Sequence, residues 1–197
     1  MTEGSTIWTG WDRRSRSAPA DDVPFHSGPR RAAYELLALA GRGFRPPQFL
    51  TVDDANGEAH DVPDSVRPVW SLEYRLLMET APRAVEPYAV YLLGVDPPDD
   101  LDDNGLATFN DFYSTVHLLE VAERRHALRA ARFELVATRR APYPSAPRFL
   151  ATYEVDEEGS ANRRHRGPPY SKGPEVWQRH TTPWRLWFRR LPSGAGG

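Results

Sequence analysis

The chain has 197 residues, 25 basic against 27 acidic side chains, a formal net charge of -2 at pH 7, and no cysteine. That length supports one sizeable core or two small halves sharing an interface, and the near-neutral balance excludes a global field drawing the molecule onto nucleic acid or an anionic membrane. Without cysteine there is no disulfide framework, thiolate metal site or cysteine nucleophile. With no charged start before an apolar run, and no apolar run near the roughly 20 residues of a membrane span, the expected compartment is the cytoplasm.

In chain order, Ile7-Trp8-Thr9-Gly10-Trp11-Asp12 reads as a first strand closed by Gly and Asp. A Pro-, Ser- and Arg-rich loop follows over 13–29, and Arg30 to Ala40, rich in Ala and Leu and ending near Gly41 and Gly43, has helical composition. Phe44 to Asp53 reads as a strand, Asp54-Ala55-Asn56-Gly57 as a turn, and Val69 to Leu76 as a strand alternating through Trp70, Leu72, Tyr74 and Leu76.

Tyr91-Leu92-Leu93-Gly94-Val95-Asp96 then repeats the shape of the first strand. An acidic loop over 97–105 leads to a longer helix, Leu106 to Arg125. Ala127 to Thr138 is a strand with Ala131, Phe133 and Leu135 on one face, followed by the turn Ala141-Pro142-Tyr143-Pro144 and a strand from Phe149 to Val155. A polar loop over 163–174, a short helix from Glu175 to Thr181 and a strand from Trp184 to Leu191 finish the order. The ends, Met1 to Ser5 and Ser193 to Gly197, read as frayed.

Strand, helix, strand, strand therefore occurs twice, the opening of a ferredoxin-like unit, and only the second occurrence is completed. The expected fold is α+β. Two ferredoxin-like halves, a degenerate one over 1–88 and a complete one over 89–197, would pack their antiparallel sheets face to face as an intramolecular α+β barrel with a ligand in its lumen.

The long helix carries the chemistry. Phe109, Phe112, Tyr113, Val116, Glu120 and Val121 recur at helical spacing, and His117 follows Tyr113 by one turn, with Asn110 beside the same stripe. A phenol, an imidazole and a carboxylate in mutual reach form an inventory for proton transfer near neutral pH. The competing reading is structural: His117 bonded to a carbonyl or to Glu120 merely orients the helix, and Glu120 fixes the imidazole tautomer.

Phe109-Asn110-Asp111-Phe112-Tyr113-Ser114-Thr115-Val116-His117-Leu118-Leu119-Glu120-Val121, with the later run Pro147-Arg148-Phe149-Leu150-Ala151-Thr152-Tyr153-Glu154, resembles EthD-like members of the dimeric α+β barrel superfamily. The resemblance covers Tyr91 to about Leu191. It implies a barrel with a lumen, in a superfamily whose members include polyketide cyclases, muconolactone isomerases and cofactor-independent monooxygenases, and a further homodimer of such chains is compatible with it. Phe112 stands where those helices carry Trp, and Ala32 falls where the repeat would place a second His117, so one half alone would hold chemistry.

In the last segment, His180, Trp184 and Trp187 alternate with Arg179 and Arg185, and could hold a planar anionic or phenolic ligand, or serve as core. Asn162-Arg163-Arg164-His165-Arg166 reads as a solvated loop. His26, His60 and His126 share no ligand spacing, and no P-loop, GxGxxG, GxSxG or HExxH motif is present, so neither metal nor cofactor is expected. The expected function is a cofactor-free bacterial enzyme acting on a hydrophobic carbonyl or polyketide-like substrate by cyclisation, isomerisation or dehydration. His117 and Tyr113 would be catalytic, with Asn110, Phe109, Phe112, Glu120, His180, Trp184 and Trp187 around the substrate. An oxygenase and a non-catalytic ligand-binding or scaffold protein are the alternatives.

Overall fold

The computed structural model describes residues 5–15, 25, 31–39, 45–54, 62–82, 84–142, 145–162 and 169–192. His26, His60, the glycines at 41 and 43, the Asn56-Gly57 turn, Tyr143-Pro144, the basic run 163–166 and most of both termini lie outside them. The chain forms eight strands: β1 (Ser5–Arg13), β2 (Arg31–Leu39), β3 (Phe49–Asp54), β4 (Val66–Glu79), β5 (Ala89–Asp96), β6 (Arg129–Arg140), β7 (Phe149–Val155) and β8 (Thr181–Arg190). Between β5 and β6 run α1 (Asp103–Phe112), a π-helical turn (Tyr113–His117) and α2 (Leu118–Arg124). Two short helices, α3 (Glu157–Ala161) and α4 (Glu175–Gln178), precede β8.

All eight strands pair antiparallel in one closed ring, β1-β3-β2-β8-β5-β7-β6-β4. This overturns the expectation of an α+β, ferredoxin-like arrangement with two open sheets packed face to face. The architecture is a β-barrel with few helices, because β2 hydrogen-bonds to β8 and β4 to β6, and the sheet runs on without an edge. The expected helix at 30–40 is the strand β2. Its Ala and Leu content favours helix only weakly, and pairing on both sides outweighs it: leaving β3 and β8 unpaired would expose two rows of backbone N–H and C=O groups. Tyr34 is buried inward, with Ala32 and Leu36 packed against the same cluster, and Ala33 is buried outward.

The ring reads β4-β1-β3-β2 and then β8-β5-β7-β6, the same order twice. Equivalent positions follow from the registers. Gly10 faces Leu50 and Trp70, as Gly94 faces Leu150 and Trp184. A Cβ on Gly10 would lie 2.5 Å from the Trp70 ring, and one on Gly94 would lie 2.7 Å from Pro147, so these two positions require glycine. Ala32, opposite Val52, corresponds to Ala131, opposite Thr152. The comparison of Ala32 with His117 therefore fails.

The lumen is a packed core. Trp8, Leu50, Leu72, Tyr74, Leu92, Leu150, Leu186 and Phe188 fill it, and Trp70 meets Trp184 at 5.2 Å between ring centroids. A cleft of about 310 Å³ is bordered by Thr6, Trp8, Tyr34, Val90 and Phe133, where Arg129 pairs with Glu79 and Glu154. Helices α1 and α2 lie outside the barrel, over β5, β7 and β6, burying Phe109, Tyr113, Leu118 and Val121 against Tyr91, Phe149, Ala151 and Tyr153. No helix among the described residues is long and apolar enough to cross a membrane.

Candidate functional site

A cleft of about 280 Å³ opens between the long helix and the outer face of β5 and β8. It is lined by Tyr91, Leu93, Tyr113, His117, Arg125, Tyr170, Trp177, His180 and Arg185, among others. This places the candidate site outside the barrel, and the expected site in the lumen is set aside.

The local helix geometry presents the two central side chains. Asp102 caps α1 by accepting from the Gly105 N–H at 2.7 Å. At the middle of the helix the hydrogen bonding slips, and the Leu118 N–H reaches the Tyr113 carbonyl five residues back. Such π-turns are uncommon and concentrate at functional sites. The helix ends where His126 takes a left-handed conformation (φ 50°) and the Ala127 N–H bonds back to the Ala122 carbonyl. His126 is thus a helix stop.

Tyr113 is fully buried, and its hydroxyl has no hydrogen-bond partner among the described residues. The same holds for Nδ1 of His117. The two rings lie 5.8 Å apart. Burial, then like charge from His180, lowers the His117 pKa to about 4 against a smaller opposing pull from Glu120. Burial pushes the Tyr113 phenol well up, past what the Arg132 guanidinium offsets. At neutral pH the site holds a neutral imidazole beside a protonated phenol, a proton acceptor beside a hydrogen-bond donor.

Trp177 on α4 forms the wall. Its ring lies 4.6 Å from His117 and 5.0 Å from Tyr113, and stacks on His180 at 4.1 Å. His180 is fixed by a 2.6 Å contact between Nδ1 and the Trp177 carbonyl. Tyr170 meets the edge of His117 at 5.2 Å and is itself covered by the Arg124 guanidinium at 3.5 Å.

The other residues singled out from sequence fall elsewhere. Asn110 does not line the cleft: its side-chain oxygen and its carbonyl both accept from Arg132, which is buried beneath the helix between Tyr113 and Phe149. Glu120 accepts from the backbone and hydroxyl of Ser171, tethering the 169–173 segment, and makes no hydrogen bond to His117. Phe109 is core against Phe149 and Trp177, and Phe112 packs on Trp177. Trp184 is in the lumen, while Trp187 stacks on Tyr91 at 4.7 Å on the outer face.

Sequence reasoning missed Tyr91, Tyr170, Arg125 and Arg132, and it set Arg185 beside a ligand in the lumen. Strand parity could have placed Tyr91 and Arg185, which alternate with lumen residues Leu92 and Trp184 and so must face outward. Among the described residues, no group of His, Asp and Glu is placed to hold a metal ion. No protein-family model matches the chain, nor does any curated protein or solved structure.

Proposed function

We propose that the chain is an enzyme that moves a proton on a hydrophobic carbonyl compound, with His117 as general base and Tyr113 as the donor that stabilises the enolate. The observation that carries this is the pairing of an unbonded imidazole nitrogen with an unbonded buried phenol hydroxyl in one small cleft. A buried polar group without a partner costs about 1–3 kcal/mol, and such a deficit is tolerated where a ligand supplies the bond.

In the step itself, His117 takes the proton from the carbon next to the carbonyl, and the electrons of that C–H bond form the enolate C=C as the carbonyl oxygen becomes negative. The Tyr113 O–H hydrogen-bonds that oxygen. The imidazolium then returns the proton to a different carbon in an isomerisation, or to a departing hydroxyl in a dehydration. A pKa near 4 makes His117 fully available as a base but a weak one, so the donor at the oxygen carries much of the driving force. The helix that supplies both residues is the segment that resembles EthD-like proteins.

The test needs no natural substrate. Incubating 1-tetralone with the protein in D₂O and following its α-proton signal by NMR should show exchange faster than in buffer. His117→Ala should return the rate to that of buffer, and Tyr113→Phe should lower it about 10²-fold. Exchange at the buffer rate with the intact protein, or His117→Ala at the intact rate, contradicts the proposal.

A further inference from the structure

The charges around the cleft are one-sided. Its described lining includes Arg125, Arg185 and two histidines but no aspartate or glutamate. Several surface arginines elsewhere are matched: Arg75 with Glu134, Arg139 with Glu73, Arg179 with Asp100, and, four residues along β8 from Arg185, Arg189 with Glu35. Among the described residues no salt bridge ties Arg185 to a carboxylate. Its guanidinium hydrogen-bonds the neutral Tyr91 phenol. The Arg125 guanidinium lies over the faces of Tyr91 and Trp187, at 5.1 and 5.8 Å, on the same side.

Resting on the proton-transfer reading, we infer that the cleft selects a planar aromatic compound bearing a carboxylate, which Arg185 recognises at the mouth while the ring system lies along Trp177 and His117. A guanidinium fork matches a carboxylate with two parallel hydrogen bonds, and an arginine without a carboxylate partner is free to turn to one. The walls supply the aromatic half of the match: Tyr113, His117, Tyr170 and Trp177 are in ring contact with one another around the opening. The volume, about 280 Å³, sits at the small end of ligand pockets and suits a two-ring molecule.

The test is calorimetric titration of the whole chain with 2-naphthoate and with 2-naphthamide, which share a ring system and differ in charge. The expected result is at least about tenfold tighter binding of the naphthoate, falling to less than twofold in Arg185→Gln, with the amide unaffected. Arg139→Gln, an exposed arginine outside the cleft, should keep the full preference. Arg185 is exposed, so its replacement should leave the melting temperature in place. Arg185→Lys, which keeps the charge but loses the fork, should retain only part of the preference. Equal affinities, no binding of either probe, or an unchanged preference in Arg185→Gln overturns the inference. The two claims separate by outcome. If the intact protein prefers the naphthoate through Arg185 but never exchanges tetralone protons, the anion site stands and the enzyme reading falls. If exchange occurs without any preference for the naphthoate, the reverse holds.

Discussion

The two outer faces of the barrel start from the same strand order and end differently. On the first half, among the described residues, one ring covers the face: Phe25 packs at 5.2 Å from Trp11 and 6.2 Å from Phe49, with Ala33, Val66 and Leu191 beneath it. On the second half the cover is the long helix, keyed to the sheet by Trp177, and its side chains leave a cleft with two unbonded polar groups in it. The lesson is that a repeated sheet specifies a scaffold, while the segment inserted between its first two strands decides whether a face is closed or becomes a site.

Breaking the closed face should have the largest effect. Phe25→Ala removes a ring that is 3% exposed, and should cost about 3–5 kcal/mol in urea unfolding. A cost under about 1 kcal/mol would show that something other than this ring seals the first half. Next come the shared positions. Gly10→Ala and Gly94→Ala each force a methyl into a Trp or Pro side chain and should cost about 1–3 kcal/mol apiece, by similar amounts if the halves are equivalent. A tolerated Gly94→Ala beside a damaging Gly10→Ala would break the equivalence.

The open face should show itself through pH. The folded-state pKa of His117, about 4, lies below its ordinary value of 6.5, so between these values the unfolded chain binds a proton that the folded chain refuses. Stability from this group is present above pH 6.5 and is lost as the pH falls towards 4. The groups facing it are His180, Arg124, Arg185 and Glu120. His117→Gln should flatten that stretch of the stability curve, a difference of about 2 kcal/mol after allowing for partial solvent screening. An identical slope in the variant would assign the loss elsewhere. The smallest effect on stability is expected from Tyr113→Phe. Deleting a buried hydroxyl with no partner should leave the unfolding free energy within about 1 kcal/mol of the parent or raise it, even as proton exchange drops. A larger loss would mean that the hydroxyl is bonded in the folded protein.

Much of the second half was legible in the sequence. Alternation marked β6, and apolar spacing marked the helix, which starts at Asp103, three residues before the expected Leu106. The first half misled because β2 reads Ala-Ala-Tyr-Glu-Leu-Leu-Ala, a local preference that long-range pairing overrides. A better anchor was in plain view: Pro47-Gln48-Phe49-Leu50 and Pro147-Arg148-Phe149-Leu150 open β3 and β7, and aligning them brings Gly10 and Trp70 onto Gly94 and Trp184. The site was half legible. A regular period places Val116 and Glu120 beside Tyr113, but the π-turn inserts a residue, so the buried sequence is Phe109, Tyr113, Leu118, Val121, with one gap of five. That gap turns Glu120 away to Ser171 and leaves His117 without a protein partner at Nδ1. Tyr170, brought in from far along the chain, carries no local mark of the cleft it lines.

The most direct test of the central claim is a ¹⁵N NMR titration of the histidine side chains in the intact protein. The account predicts that the His117 imidazole remains neutral through pH 7 and protonates only near pH 4. Protonation near pH 6.5 would show an ordinary solvated histidine, and the cleft would then have no base set apart for chemistry.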